Sequence, residues 1–242
     1  MTAWAPRKAM VLAAGRGNRL RPLTDHVPKC MVTVCDKPLL EYTIEWLQRF
    51  GVVEVVINLS YLPDVVRSYF GDGSRWGVQV TYSLETDPLG TAGGVRNAGR
   101  FFDGPFFLWY GDNLSTCNLA RLYEVHCSKG GGATLAVHWR DHPVQSGVVE
   151  LNEEDRIVRF MEKPRSEEAV PTWVSAGIFV LERRVLDFIP EVGVSDFGHD
   201  VFPSMLAAGE RLYGYRLSQD EGFAWVDTPE DYELTRTEGL RP

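Results

Sequence analysis

The chain reads as an α/β fold, with a mixed, mainly parallel central sheet between two helix layers and a small β insertion in its second half. Three observations lead there. Short apolar, β-branched runs recur at 9–14, 52–59, 106–110, 133–140 and 174–181, and stretches with apolar residues at helical spacing separate the earlier ones. Strands that alternate with helices call for parallel pairing and crossovers covering both faces of the sheet. Beyond Arg140 the alternation breaks into two strands joined by the polar stretch 152–155, the pattern of an added hairpin.

Each element has its own local reason. The run at 9–14 ends in Gly15 and reads as a buried parallel strand. A helix is expected over 38–50, with Pro38 opening it, Leu40, Ile44 and Leu47 on one face, and Gly51 stopping it. The β-branched stretch 52–59 is a central strand. A short helix over 63–70 closes at Gly71-Asp72-Gly73, and 77–84 alternates as a strand. Residues 91–102 are helical despite Gly93 and Gly94, and 106–110 is an apolar strand running into Gly111-Asp112-Asn113. Asn118 caps a helix to about 128, and 133–140 is another strand. The hairpin strands are 147–151 and 156–162, and 174–181 is again buried. Helices follow near 184–189 and 200–208, then strands at 211–217 and 223–226. Thr228, Pro229, Glu230 and Asp231 open the final helix with a capping hydroxyl, a first-position proline and acids in the first turn. No linker, repeat or low-complexity stretch interrupts the chain, so 1–242 is expected to be one domain, with halves meeting near residue 140.

Composition narrows the function classes. Of 242 residues, 44% are hydrophobic and 24% charged, ordinary for a globular domain with a sizeable core. A net charge of −8 and a pI near 5.2 argue against a nucleic-acid partner. Cys30, Cys35, Cys117 and Cys127 lack zinc-ligand spacing, and reduced thiols in a cytoplasmic setting are the expectation. No apolar stretch is long enough to span a membrane, and the first residues lack a signal-peptide core. The five histidines show no ligand spacing and read as surface or core. Trp4, Trp46, Trp76, Trp109, Trp139 and Trp173 read mostly as core or rim.

Against this acidic background, basic residues gather after the first strand. Leu12-Ala13-Ala14-Gly15-Arg16-Gly17-Asn18-Arg19-Leu20 runs into Arg21-Pro22 and Pro28-Lys29. Glycines there let the backbone bend and present its N–H groups, which form an anion-binding concavity. Arg16, Arg19, Arg21 and Lys29 would add charge-assisted bonds to the same phosphates. Taken alone, strand–Gly-x-Gly is equally a tight turn. It is not a Walker loop, since no Lys-Ser or Lys-Thr follows the glycines. Nor is it the dinucleotide fingerprint, which needs a small residue at Leu20 and a helix that Pro22 and Pro28 discourage. Asp112 and Asp227 each follow an apolar strand, where open α/β sheets present ligand-binding groups. Each is a candidate to hold Mg²⁺ against phosphates, or else a cap. Glu162-Lys163-Pro164, by itself, reads first as a solvated charge pair, and Pro88-Leu89-Gly90-Thr91-Ala92-Gly93-Gly94 is either a plain turn and helix start or a loop that closes over a base. No Ser/His/Asp nucleophile arrangement is present.

The opening signature, with Pro22-Leu23-Thr24, Pro28-Lys29 and Lys37-Pro38-Leu39-Leu40-Glu41, resembles that of the sugar-1-phosphate nucleotidyltransferases. The resemblance runs from Lys8 to about Leu234. It implies a Rossmann-like, GT-A-like nucleotidyltransferase fold with a sugar-side β insertion. It also implies Mg²⁺-dependent transfer of a nucleotidyl group from an NTP to a sugar 1-phosphate, by direct in-line displacement of pyrophosphate. Leu12, Ala13, Ala14, Gly15, Arg16, Gly17, Asn18, Pro88, Leu89, Gly90, Thr91 and Asp112 would bind the nucleotide. Arg19 would hold the β- and γ-phosphates, Lys29 the charge at the α-phosphate, and Lys163 the sugar phosphate. Asp112 and Asp227 would be the metal ligands, while Gly147, Glu162, Ser175 and Trp225 would lie at the sugar. Pro88 to Gly94 most resembles guanylyltransferases acting on mannose-type and heptose 1-phosphates, which favours GTP and a manno-configured sugar phosphate. Uridylyl or thymidylyl transfer to another sugar or a cyclitol 1-phosphate, and a silent nucleotide-sugar-binding regulatory subunit, are the competing readings. Asn18, Ser146 and Ser175 depart from the family's usual Thr or Ser, Tyr and Asn. The C-terminal β-helix of many relatives is expected to be absent, and a homo-oligomer fits the family.

Overall fold

The computed structural model describes residues 6–143, 146–164 and 170–240. Trp4 lies outside them. In chain order the strands and helices are β1 (Lys8–Leu12), β2 (Thr33–Val34), β3 (Lys37–Pro38), α1 (Leu39–Arg49), β4 (Glu54–Leu59), α2 (Pro63–Phe70), β5 (Gln79–Leu84), α3 (Gly90–Asn97), β6 (Phe106–Tyr110) and β7 (Asn113–Ser115). They continue with α4 (Leu119–Lys129), β8 (Ala133–Arg140), β9 (Gly147–Leu151), β10 (Ile157–Glu162), β11 (Thr172–Leu181), α5 (Phe202–Ala207), β12 (Leu212–Arg216), β13 (Phe223–Trp225) and α6 (Pro229–Glu238).

The central sheet is mixed and mainly parallel at its heart, with helices on both faces. Strands β6, β1, β4 and β5 pair in parallel, as short apolar runs separated by helices must. Their side chains alternate between two cores. Ala9 and Val11 face α1, α2 and α4, while Met10 faces α3 and α5. Phe107 and Trp109 divide from Phe106 and Leu108 in the same way. All of these side chains are essentially shut off from solvent.

The expected hairpin is β9–β10, and β11 joins it to the rest. One end of β11 pairs with β6, the other with β9, and β8 runs along both. The strand bends where its register with β8 shifts, between Ser175 and Phe179. Gly177 makes the bend possible. Its φ is +67°, and a Cβ there would lie 2.7 Å from Asn113 Nδ2 and 2.9 Å from the Tyr110 ring.

Some expected elements shift. The helix expected at 91–102 ends as α3 at Asn97 and continues as a 3₁₀ turn, Gly99–Phe101. The helix expected at 184–189 is a 3₁₀ turn, and the one at 200–208 begins with a π-type turn, Phe197–Val201. Among the described residues no helix is long and apolar enough to cross a membrane.

Candidate active site

The first site element is the loop after β1. The backbone N–H of Ala13 donates to Asn58 Oδ1 at 2.8 Å, and Asn58 Nδ2 donates to Glu85 Oε1 at 2.7 Å. Glu85 Oε2 accepts from the N–H of Leu89 at 2.9 Å. This buried relay ties the ends of β1, β4 and β5 to the loop ahead of α3. Ala13 and Leu89 therefore face inward through their backbones. Asn58 and Glu85 were not among the expected site residues, although Asn58 is a polar residue near the end of a mostly apolar strand and Glu85 directly follows the next strand.

Gly17 has φ +66°, and its carbonyl accepts from the Leu20 N–H at 2.9 Å and from Thr24 Oγ1 at 2.8 Å. A Cβ there would sit 2.8 Å from Lys29 Cβ, so the loop closes directly over Lys29. Asn18 opens the following 3₁₀ turn and is exposed.

Lys29 is the buried hub of the site. Its ammonium donates to Asp112 Oδ2 at 2.6 Å and to Asp227 Oδ1. Arg19 Nη2 lies 3.1 Å from Asp227 Oδ2. Burial works against the charge on Lys29, and the charges and hydrogen bonds of Asp112 and Asp227 overcome it, holding the ammonium above the usual lysine range. Burial likewise pushes the Asp227 carboxyl up, but Lys29, Arg19 and Lys163 hold it below the usual carboxylate range.

Two aspartates far apart in sequence meet because β7 and β13 form a short antiparallel ladder. Trp225 lies opposite Asn113, with Asp112 just before one strand and Asp227 just beyond the other. The sequence reading missed β7, a three-residue strand too short to show a period. At Asp227 the chain enters a capping box. Thr228 Oγ1 accepts from the Asp231 N–H, and Asp231 Oδ2 accepts from the Thr228 N–H at 3.0 Å.

Two cavities flank this charge cluster. One, of about 280 Å³, is lined by Leu12, Ala14, Gly15, Arg16, Pro88 and Gly90 among others. The other, of about 470 Å³, is lined by Arg19, Gly147, Glu162, Lys163, Ser175, Trp225 and Asp227 among others. Thr91, Tyr110, Asp112 and Asp196 line both and form the wall between them. Most of the expected nucleotide residues line the smaller cavity and the expected sugar residues the larger, but Arg19 lines the larger one, and Ala13, Gly17, Asn18, Lys29 and Leu89 line neither.

Further residues belong here. Asp196 Oδ1 accepts from the N–H and the hydroxyl of Thr91, at 3.0 and 2.9 Å. Asn113, Arg140, Ser146 and His199 also line the larger cavity, His199 from an exposed surface position. Lys163 holds φ +47°, with its N–H donating to the Ser146 carbonyl at 3.0 Å and its Nζ 3.9 Å from Glu162 Oε1. A non-glycine residue in the left-handed region is a strained conformation, and here it falls within the site. Burial raises the Glu162 carboxyl above its ordinary range, partly offset by Lys163.

Asp112 and Asp227 already share one cation, the Lys29 ammonium, so they are placed to share a hard metal ion. Among the described residues no group of three or more His, Cys, Asp and Glu side chains forms a complete protein cage. Two carboxylates with the remaining positions left to phosphate and water suit Mg²⁺.

The sequence matches the family profile described as Nucleotidyl transferase across residues 8–234. A UTP–glucose-1-phosphate uridylyltransferase from Synechocystis sp. is 36% identical, covering 91% of this chain and 59% of the relative. A mannose-1-phosphate guanylyltransferase from Mycobacterium tuberculosis is 39% identical, covering 93% and 62%. The chain thus spans about three fifths of the length of these curated relatives. A solved structure from Bacillus anthracis, assigned as a candidate glucose-1-phosphate thymidylyltransferase and holding a sucrose, superposes with a TM-score of 0.85 at 22% identity. It covers 96% of this chain and 94% of that one.

Proposed function

We propose, from the premise that this chain belongs to the nucleotidyl transferase family, that it joins an NTP to a sugar 1-phosphate, giving an NDP-sugar and pyrophosphate. One observation carries the reading. The Gly15–Gly17 loop and the Glu162-Lys163 corner open on separate cavities whose common wall includes Asp112, with Lys29 and Asp227 alongside. Such an arrangement suits two phosphate-bearing substrates that react where they meet.

The sugar phosphate oxygen attacks the α-phosphorus of the nucleotide in line. As that P–O bond forms, the bond to pyrophosphate breaks and its electrons leave with pyrophosphate. No covalent enzyme intermediate is required, so catalysis rests on positioning and charge neutralisation. The loop N–H groups and Arg19 hold the β- and γ-phosphates, Lys29 stabilises charge at the α-phosphate, and Lys163 aligns the attacking phosphate. Asp112 and Asp227 would hold a divalent cation, in our reading Mg²⁺, which supplies charge neutralisation for the phosphates when bound.

GTP and a manno-configured sugar are the favoured pair, supported by the guanylyltransferase relative and by the Pro88–Gly94 loop. The uridylyltransferase relative keeps UTP with a glucose-type phosphate as the second reading. The test is pyrophosphate release with Mg²⁺, crossing GTP, UTP, ATP, CTP and dTTP against a panel of sugar 1-phosphates. Release that needs GTP and a manno-configured phosphate, and stops with EDTA, is expected. Release with UTP or dTTP overturns the base assignment and keeps the chemistry. Binding without release from any pair overturns the transferase reading in favour of a silent nucleotide-sugar-binding subunit.

A further inference from the structure

Arg140 ends β8 at the mouth of the larger cavity, half-buried, and none of the motifs quoted above contains it. Its guanidinium sits over Trp225, its central carbon 4.4 Å from the ring centroid. Its Nη1 donates to Ser146 Oγ at 3.4 Å, a long and weak bond. Among the described residues no carboxylate lies within ion-pair distance of it, although Asp227 and Asp231 are near enough to favour its charge.

Burying part of a guanidinium without a paired anion is costly, and proteins ordinarily avoid it by pairing the charge. Arg19, on the same cavity, is paired with Asp227. Arg140 is instead held by the Trp225 ring and one weak bond, which leaves most of its N–H donors unused on a side chain that lines the larger cavity and a neighbouring one beside α6. Lys163, on the same cavity, is likewise only loosely held, 3.9 Å from Glu162. Two under-paired cations on one cavity beside the Asp227 carboxylate call for an anionic ligand that reaches both.

We infer that Arg140 is a substrate-positioning residue that grips the phosphate of the sugar 1-phosphate from the Trp225 side, opposite Lys163. The planar fork takes two phosphate oxygens, and Trp225 sets its plane before the substrate arrives. Ser146 matters to this arrangement because its small hydroxyl leaves the guanidinium room to lie beside it. The inference rests on the transferase reading for the identity of the ligand, but not for the presence of a phosphate grip.

The test pairs kinetics with direct binding. In wild type, Arg140→Lys and Arg140→Gln, KM for the sugar 1-phosphate and for the NTP are measured separately. Calorimetry then follows binding of the same sugar 1-phosphates and of the parent free sugars, with unfolding curves confirming each fold. For Arg140→Gln we expect KM for the sugar phosphate and its Kd to rise on the order of 10- to 100-fold, with KM for the NTP unchanged. Arg140→Lys should recover only part of the loss, because an ammonium keeps the charge without the fork. Equal rises in both KM values, or an effect as large on the free sugar, overturn the inference. So does sugar-phosphate binding that is indifferent to Arg140, while turnover in wild type leaves the transferase reading standing. Arg140-dependent binding without turnover upholds the grip and overturns the transferase reading. Absence of sugar-phosphate binding in wild type overturns both.

Discussion

Lys29 shows how one side chain can serve both stability and, in the proposed reaction, chemistry. Its ammonium neutralises Asp112 and Asp227, which would otherwise face each other half-shielded from water. Lys29→Ala should therefore lower turnover roughly 10²–10³-fold, the cost of losing a transition-state donor of this kind. The same change should tighten binding of Mg²⁺ measured without nucleotide, because the two carboxylates lose their internal cation. Normal turnover in a folded Lys29→Ala protein would remove it from the mechanism. Glu162 tests the opposite situation. Burial raises its folded-state pKa, so its charged form costs stability at neutral pH, and that cost disappears as pH falls below the folded value. Glu162→Gln should accordingly unfold at a higher temperature than wild type near pH 7. The gap should close in acid, and a gap that widens in acid would contradict the burial argument.

At the scale of elements, the bend in β11 is the feature on which the larger cavity depends. Gly177→Ala forces a left-handed residue into contact with Asn113 and Tyr110, and both of those line the cavity. We expect a loss of roughly 1–3 kcal/mol in denaturant unfolding, with the m-value unchanged. Gly51→Ala is the matched control, since it has φ +85° but open space around the added methyl. Elements of this kind also mark how far the sequence could be read. The parallel core was legible because burial on both faces demands continuous apolar runs, as in Phe106–Tyr110. So were the Gly-rich loop, Asp112, Asp227 and Lys163 as candidates, through their place after strands or in a motif. The β7–β13 ladder was not legible, since strands of three residues carry no period. Nor were Asn58, Glu85, Asp196 and Arg140, whose meaning comes from partners 27 to 105 positions away or from an aromatic partner on another strand. Sequence spacing does not encode such proximity.

For the whole molecule, the two halves expected to meet near residue 140 are sewn together by β11, which pairs with β8 along one edge and with β6 and then β9 along the other. Such sharing leaves no seam along which one half can open alone. Far-UV circular dichroism and tryptophan fluorescence should therefore report one coincident unfolding transition. A fragment ending at residue 140 should not fold, and separate transitions for the two probes would show that the halves are independent.

The β7–β13 ladder has a further consequence, for the timing of biogenesis. Asp112 leaves the ribosome more than a hundred residues before Asp227, and Lys29 earlier still. Until the β13 segment emerges, the β7 edge lacks its partner and the carboxylate pair cannot close. A nascent or prematurely terminated chain thus lacks the closed carboxylate pair, and the charge cluster assembles in a single late step.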